Sequence, residues 1–443
     1  MPKDDLDDFL AQLALDDAKA AAKPKAKAVA KKGAKGKSAA AVDEQLDSAE
    51  LDDADKPTDV LARAIGKPPA DYKAPVTADG QLQTSPPTIP VSQFYTAFPE
   101  GEIFEYGLDS NTQRKTAAEY REKEKLDESM YNELREAAEV HRQCRHDIQK
   151  YIRPGVALID IANQLETSTK TLLRANGLER GWGFPTGLSL NHIAAHFSPN
   201  GGDKTILKES DVLKVDFGTH INGRIIDCAF TVHFDEKYDP LVEAVKDATN
   251  TGIKVAGIDM RLGDIGGAIQ EVMESYEIEL DGKTMPIRCI RNLNGHSIAP
   301  YKIHAGKSVP IINNHDQTKM EEGEMYAIET FGSTGRGNIT EDGEVSHYMR
   351  SFTVDKPLAR SAGAVKLWNV IDKNFSTLAF CRRWLDGLGQ KNYMLSLKQL
   401  VDAGAVDPYP PLVENKGAYT AQFEHTILLR PTCKEVLSRS FDY

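Results

Sequence analysis

The longest amphipathic pattern in the chain predicts an α-helix over residues 116–152. Apolar and packing side chains recur there at the spacing that places them on one helical stripe. We expect the single histidine of the stripe to pack against the core and not to bind a ligand. The stripe consists of Met130, Leu134, Ala137, His141, Cys144, Ile148 and Tyr151.

A second pattern predicts a β-hairpin, because two strand-like runs flank the dipeptide Asn222-Gly223. Both central positions of a two-residue hairpin turn need positive φ, which Asn and Gly tolerate. In that register Asp216 faces Ala229 and Gly218 faces Asp227. The two aspartates are then diagonal neighbours on one face, roughly 7 to 8 Å apart at the backbone. Like charges buried this close require a cation, whereas the alternative is a polar hairpin face with solvated aspartates.

The pattern around the hairpin recurs later in the chain, which predicts two related halves. Residues 209–216 align with residues 322–329 without a gap, so that Asp216 falls on Glu329. The segment around Asp227 likewise resembles the segment around Glu424. A weaker similarity between the upstream parts of the two halves aligns His196 with His304. We expect two α/β units that face a common cleft and bring the four carboxylates together.

One histidine, His296, lies in a Gly-flanked turn that could bring its ring near these acids. A lone histidine is more often structural, but four carboxylates and an imidazole form a hard, oxygen-rich set suited to divalent ions. The set predicts two ions per chain. Mn, Fe, Co or Zn would each satisfy it, and the sequence does not choose among them.

These motifs resemble those of the type-2 methionine aminopeptidases, in the creatinase and aminopeptidase family with the pitta-bread fold. The resemblance covers residues 85–443 and is carried by six motifs. They are Phe184-Pro185-Thr186-Gly187, Ala194-Ala195-His196, Lys214-Val215-Asp216-Phe217-Gly218-Thr219-His220, Ile226-Asp227-Cys228-Ala229-Phe230, Arg291-Asn292-Leu293-Asn294-Gly295-His296 and Ala421-Gln422-Phe423-Glu424-His425-Thr426.

The resemblance implies a role for each candidate residue. Glu329 would also shuttle a proton, and His196 and His304 would contact substrate. Either His304 or His196 would stabilise the developing oxyanion. Phe184, His347 and Tyr409 would shape a pocket for the methionine side chain. The implied metal ligands are Asp216, Asp227, His296, Glu329 and Glu424.

The implied activity is hydrolysis by a di-metal exopeptidase that removes the initiator methionine from nascent proteins with a small second residue. Two divalent ions can activate a bridging water near neutral pH while one of them binds the free α-amino group. Two alternatives are a proline-directed aminopeptidase with the same ligands and a non-catalytic binding protein on the same scaffold. All the ligand positions hold competent groups, which favours the enzyme.

The implied fold is α+β, a pseudo-two-fold pitta-bread arrangement with a curved antiparallel sheet flanked by helices. The expected catalytic domain spans residues 116–344 and 412–443, with a helical insertion at 345–411. A Pro-rich, extended lead at 76–115 would precede it. Residues 1–75, rich first in Ala and Lys and then in acids, predict a disordered tail.

Composition favours a cytoplasmic protein. Five scattered cysteines without a CxxC motif are typical of reduced thiols, and neither a secretory signal nor an apolar span is evident. The net charge of -12 argues against a general nucleic-acid binder. In the tail, an apolar stripe at residues 6–13 predicts either a docking helix or a transient one. The lysines of the tail could contact the ribosome or serve only for solubility. A translation initiation factor is a further possible partner of the tail.

Overall fold

The computed structural model describes Gly66 and residues 68–108, 110–354 and 361–443. Most of the predicted tail and all of its apolar stripe lie outside these residues. The α-helices of the described chain are α1 (Ala118–Tyr151), α2 (Leu158–Leu173), α3 (Asp239–Val255), α4 (Leu262–Met273), α5 (Ala362–Phe375), α6 (Arg382–Gly387) and α7 (Met394–Asp402).

The strands of the same residues form several antiparallel sheets. They are β1 (Glu102–Phe104), β2 (Arg180–Trp182), β3 (Gly187–Leu190), β4 (Ile193–Ala195), β5 (Val212–Ile221), β6 (Arg224–His233), β7 (Glu277–Leu280), β8 (Lys283–Pro286), β9 (Arg288–Cys289), β10 (Asn294–Ile298), β11 (Ser308–Pro310), β12 (Met325–Ser333), β13 (Thr340–Glu341), β14 (His347–Arg350), β15 (Phe380–Cys381), β16 (Val406–Tyr409), β17 (Leu412–Val413), β18 (Thr420–Leu429) and β19 (Lys434–Val436).

The predicted long helix is confirmed as α1. Its 34 residues include neither Gly nor Pro. It ends at Tyr151, two residues before Arg153, whose helical conformation is disfavoured by the proline that follows. His141 is buried on the inner face of α1. Its ring stacks on Phe217 at 3.8 Å, and its Nε2 lies 2.9 Å from the carbonyl oxygen of Phe217. The prediction that His141 is a packing residue is therefore confirmed.

The predicted hairpin is also confirmed, with the expected register. Strands β5 and β6 pair over their full length, and Asn222 and Gly223 have φ of 51° and 76°, as this turn needs. Asp216 lies opposite Ala229, and Gly218 lies opposite Asp227. Both aspartates therefore point to the same face of the sheet.

Two similar halves make up most of the described chain. In the first half, α1 packs against β5 and β6 and also against α2. In the second half, α3 packs in the same way against β12 and β18 and also against α4. Strands β6 and β18 lie side by side where the halves meet. This arrangement agrees with the two related units predicted from the repeat.

Residues 345–411 form a smaller layer beside the two halves. Strands β14, β15 and β16 make a three-stranded sheet, and α5, α6 and α7 surround an apolar cluster that includes Leu367, Ile371 and Phe380. The Ser361 hydroxyl caps α5 by accepting a hydrogen bond from the Ala364 N–H at 3.2 Å. This layer ends at β16, which pairs with β14 and thereby brings the two ends of the segment together.

None of the helices in the described ranges is both long and apolar enough to cross a bilayer. All five cysteines are buried free thiols.

Candidate metal centre

A cavity of about 380 Å³ lies between the two halves, and all ten residues singled out from the sequence line it. They come from loops and strands of both halves and from the 345–411 layer. They are Phe184, His196, Asp216, Asp227, His296, His304, Glu329, His347, Tyr409 and Glu424.

Strand register places the acids and the histidine next to one another. Glu329 on β12 lies directly opposite Glu424 on β18, and His296 on β10 lies opposite Ala327, two residues before Glu329. Asp227 on β6 faces the same cavity from the other half. Like charges directly across a strand pair destabilise a sheet, so the Glu329–Glu424 pair needs a compensating charge.

The distances define a compact cluster. One ligand atom each of Asp227, His296 and Glu424 lies within 4.8 Å of the other two. His296 Nε2 is 3.5 Å from Asp227 Oδ2 and 3.8 Å from Glu329 Oε1. Burial and the nearby His304 lower the pKa of His296 well below its usual value. The ring is therefore neutral at pH 7, which is the form that binds metals.

Burial also disfavours the charged form of each carboxylate. Burial raises the pKa of Asp216 to about 7. Burial is also the largest cause of the raised pKa of Glu329, and repulsion from Asp216 raises that pKa further. The pKa values of Asp227 and Glu424 are raised well above their usual range by burial and then by the neighbouring acids. In the described chain, no lysine or arginine is among the largest causes of these four pKa shifts.

Several buried oxygens in the cluster have no hydrogen-bond partner within the described structure. They include Asp216 Oδ1, Asp227 Oδ1 and Glu424 Oε1. Buried polar atoms are normally paired, so such a group of acceptors indicates a further partner, such as a bound cation. Carboxylate oxygens and one neutral imidazole suit divalent ions, and the residues present therefore fit a metal centre.

Gln422 is a functional neighbour that the sequence reasoning did not single out. Its Nε2 donates to Asp216 Oδ2 at 3.2 Å, to Glu329 Oε2 at 3.1 Å and to Glu424 Oε2 at 3.5 Å. The amide carries no charge, so it orients the carboxylates without neutralising them. A signal was present, because Gln422 lies two residues before Glu424 and strand alternation puts both on one face.

Four further side chains form the walls of the cavity. The His304 ring lies 4.3 Å from that of His296, in an edge-to-face arrangement. The His196 ring is 5.9 Å from both His347 and Tyr409. Burial, with a smaller contribution from His304, lowers the pKa of His196 to about 4. Burial and the neighbouring His196 lower the pKa of His347 to about 3. Both rings are therefore neutral near pH 7.

Phe184 covers the strand that carries Asp216. A Cβ atom added at Gly218 would lie 2.3 Å from Phe184 Cε1, so only glycine leaves room for the aromatic ring there. Gly218 lies within one of the six resemblance motifs, but the sequence alone indicated no role for it.

The chain is similar to known proteins. The model of metallopeptidase family M24 matches residues 132–431. A protein of Dictyostelium discoideum named "Methionine aminopeptidase 2" is 59% identical, with 82% of this chain and 83% of that protein covered. "Methionine aminopeptidase 2A" of Arabidopsis thaliana is 55% identical over 82% of both chains.

Among solved structures, a thermophilic Arx1 has a similar fold. Its TM-score is 0.56 at 16% sequence identity, with 68% of this chain and 89% of that chain covered.

Proposed function

Because the chain belongs to metallopeptidase family M24 and acts as an aminopeptidase that removes N-terminal methionine, we propose that its cavity holds two divalent metal ions. The observation that carries this proposal is the set of buried carboxylate oxygens without partners beside a neutral imidazole. The proposed ligands are Asp216, Asp227, His296, Glu329 and Glu424. Mn, Fe, Co and Zn all suit these donors.

When bound, such ions lower the pKa of water towards neutrality and polarise the carbonyl group of the bond to be cleaved. Glu329 would take the proton of the attacking water and return it to the leaving amine, which is general acid and base work that a carboxylate can do. His196 and His304 line the cavity with depressed pKa values. Each neutral imidazole can donate one hydrogen bond to the oxyanion that develops on the substrate.

The methionine side chain would occupy the part of the cavity walled by Phe184, His347 and Tyr409. His347 and Tyr409 lie opposite each other on β14 and β16, so the strand pairing holds both at a fixed separation. A thioether packs well on aromatic edges, which favours methionine there. Residues 345–411 would thus serve as an insertion into a catalytic domain formed by residues 116–344 and 412–443, behind the 76–115 lead.

The substrates are the N-termini of proteins. We further propose that they are nascent chains whose second residue is small, that the enzyme acts in the cytoplasm, and that its lysine-containing tail contacts the ribosome or a translation initiation factor. The proline-directed and non-catalytic alternatives are not favoured, because relatives at 55% and 59% identity are named methionine aminopeptidases.

Metal-stripped protein re-supplied with single metals tests the proposal. We expect free methionine to be released from Met-Ala-Ser much faster than from Met-Leu-Ser. Asp216→Asn and Glu424→Gln keep the shape of each side chain but remove its charge, so metal content and hydrolysis should fall together. The affinity for the metal should fall by at least roughly 10-fold. Asp402→Asn, on an exposed helix end, is the matched control. Full metal content and activity in folded Asp216→Asn and Glu424→Gln variants would refute the ligand assignment.

A further inference from the structure

The two halves meet at a seam, formed by residues 227–231 of β6 and 422–426 of β18, that lacks the usual backbone ladder. In the described structure β6 pairs with β5 alone, although β6 and β18 lie side by side. A side chain takes the place of the ladder. The buried Thr426 hydroxyl accepts from the Asp227 N–H at 2.8 Å and donates to the Asp227 carbonyl oxygen at 2.7 Å.

The same bridge recurs in the opposite direction. The buried Thr231 hydroxyl accepts from the Gln422 N–H at 2.8 Å and donates to the Gln422 carbonyl oxygen at 2.7 Å. Each threonine therefore satisfies both backbone groups of one residue on the other half. From the reverse face, the Cys228 thiol adds a contact of 3.0 Å to the Glu424 carbonyl oxygen.

The two bridges set the register across the seam. Thr426 faces Asp227 and Thr231 faces Gln422, so Ala229 faces Glu424 midway between them. Because Ala229 also faces Asp216 on β5, and Glu424 faces Glu329 on β12, three acids stand in one row across four strands.

The neighbouring row holds the other two candidate ligands. Asp227 faces Thr426 across the seam, Thr426 faces Ala327 on β12, and Ala327 faces His296 on β10. A slip of one residue at the seam would point one half's ligands away from the cavity, since side chains alternate between faces. The ligands of the two halves therefore converge only in this register.

We propose that Thr231 and Thr426 are positioning residues for the metal centre: their hydroxyls fix the register and the spacing between the two halves, and so bring the ligands of both halves together. This inference rests on the proposed metal-dependent function. The ordinary alternative is that the two threonines contribute only to the stability of the fold.

The test compares isosteric and conservative substitutions in the metal-free full-length protein. Thr426→Val keeps the shape but leaves the buried N–H and C=O of Asp227 unpaired, whereas Thr426→Ser keeps the hydroxyl. Calorimetric titration with Co²⁺ should show about 10- to 100-fold weaker binding for Thr426→Val and near wild-type binding for Thr426→Ser. The visible absorption of the Co²⁺ form should shift in Thr426→Val and not in Thr426→Ser. Thr231→Val and Thr231→Ser provide a second pair if Thr426→Val fails to fold.

Thr169→Val is the matched control, because Thr169 is equally buried but bonds Cys144, away from the seam. It should lose some thermal stability and bind Co²⁺ like the wild type. Unchanged Co²⁺ affinity and spectrum in folded valine variants would overturn the positioning role and leave the proposed function intact. If the wild-type protein bound no divalent ion, the proposed function itself would fail.

Discussion

Gly218→Ala tests whether the close contact between β5 and Phe184 shapes the methionine pocket. The added Cβ would lie 2.3 Å from Phe184 Cε1 and 2.6 Å from Cδ1. Carbon atoms approach no closer than about 3.5 Å without repulsion, so the ring must retreat by about 1.2 Å. Displacing a substrate-contacting group by about 1 Å can cost roughly 100-fold in rate. We therefore expect kcat/KM for Met-Ala-Ser to fall about 100-fold, or about 2.7 kcal/mol of transition-state stabilisation.

The assay separates the pocket from the metal centre. Metal content of Gly218→Ala should match the wild type, while overpacking lowers the free energy of unfolding by about 1 to 3 kcal/mol. In the double variant Gly218→Ala/Phe184→Ala the clash is absent. The second substitution should then reduce activity less in the Gly218→Ala background than in the wild type, which a double-mutant cycle measures.

Gly387→Ala is the matched control, because beyond the adjoining backbone no atom would lie within 4 Å of its new Cβ. It should leave kcat/KM unchanged. Wild-type kcat/KM in a well-folded Gly218→Ala protein, or strictly additive effects in the cycle, would show that Phe184 does not shape the pocket.

Two further predictions concern the neutral histidines of the cavity. His196→Ala should keep its metal and lose turnover, because we propose that the ring contacts substrate and not the ions; loss of metal in this variant would make His196 a ligand. The pKa of His347 is about 3 in the folded protein, below its unfolded value near 6.5. Between these two pH values the unfolded chain binds more protons than the folded one. The free energy of unfolding therefore falls as the pH drops through this window. The metal-free wild type should therefore lose unfolding free energy between pH 7.5 and pH 5, and His347→Asn should make that loss smaller by up to about 2 kcal/mol, as measured by urea unfolding. An unchanged pH dependence would contradict this.

Local sequence signals predicted the parts of the fold that depend on neighbouring residues. Asn222-Gly223 determined the hairpin register, because few residues tolerate two successive positive φ values, and that register placed Asp216 and Asp227 on one face. The stripe of α1 was equally readable, including the packed role of His141.

Contacts between the halves could not be predicted in this way. The bond from the Gln422 amide to Asp216 and the threonine bridges at the seam each join residues distant in sequence. Their partners depend on how two sheets meet, and no local pattern encodes that. The internal repeat predicted that the halves face one another, but not which side chains join them.

The pairing of His347 with Tyr409 gives the molecule a modular character. The five candidate ligands lie on strands of the two similar halves, whereas these two wall residues lie on β14 and β16, at the ends of the 345–411 layer. Under the proposed function, metal binding would belong to the two halves, whereas two of the three residues of the methionine pocket would belong to this layer. Exchange of that layer could retune which first residue is accepted while the ligand strands stay untouched.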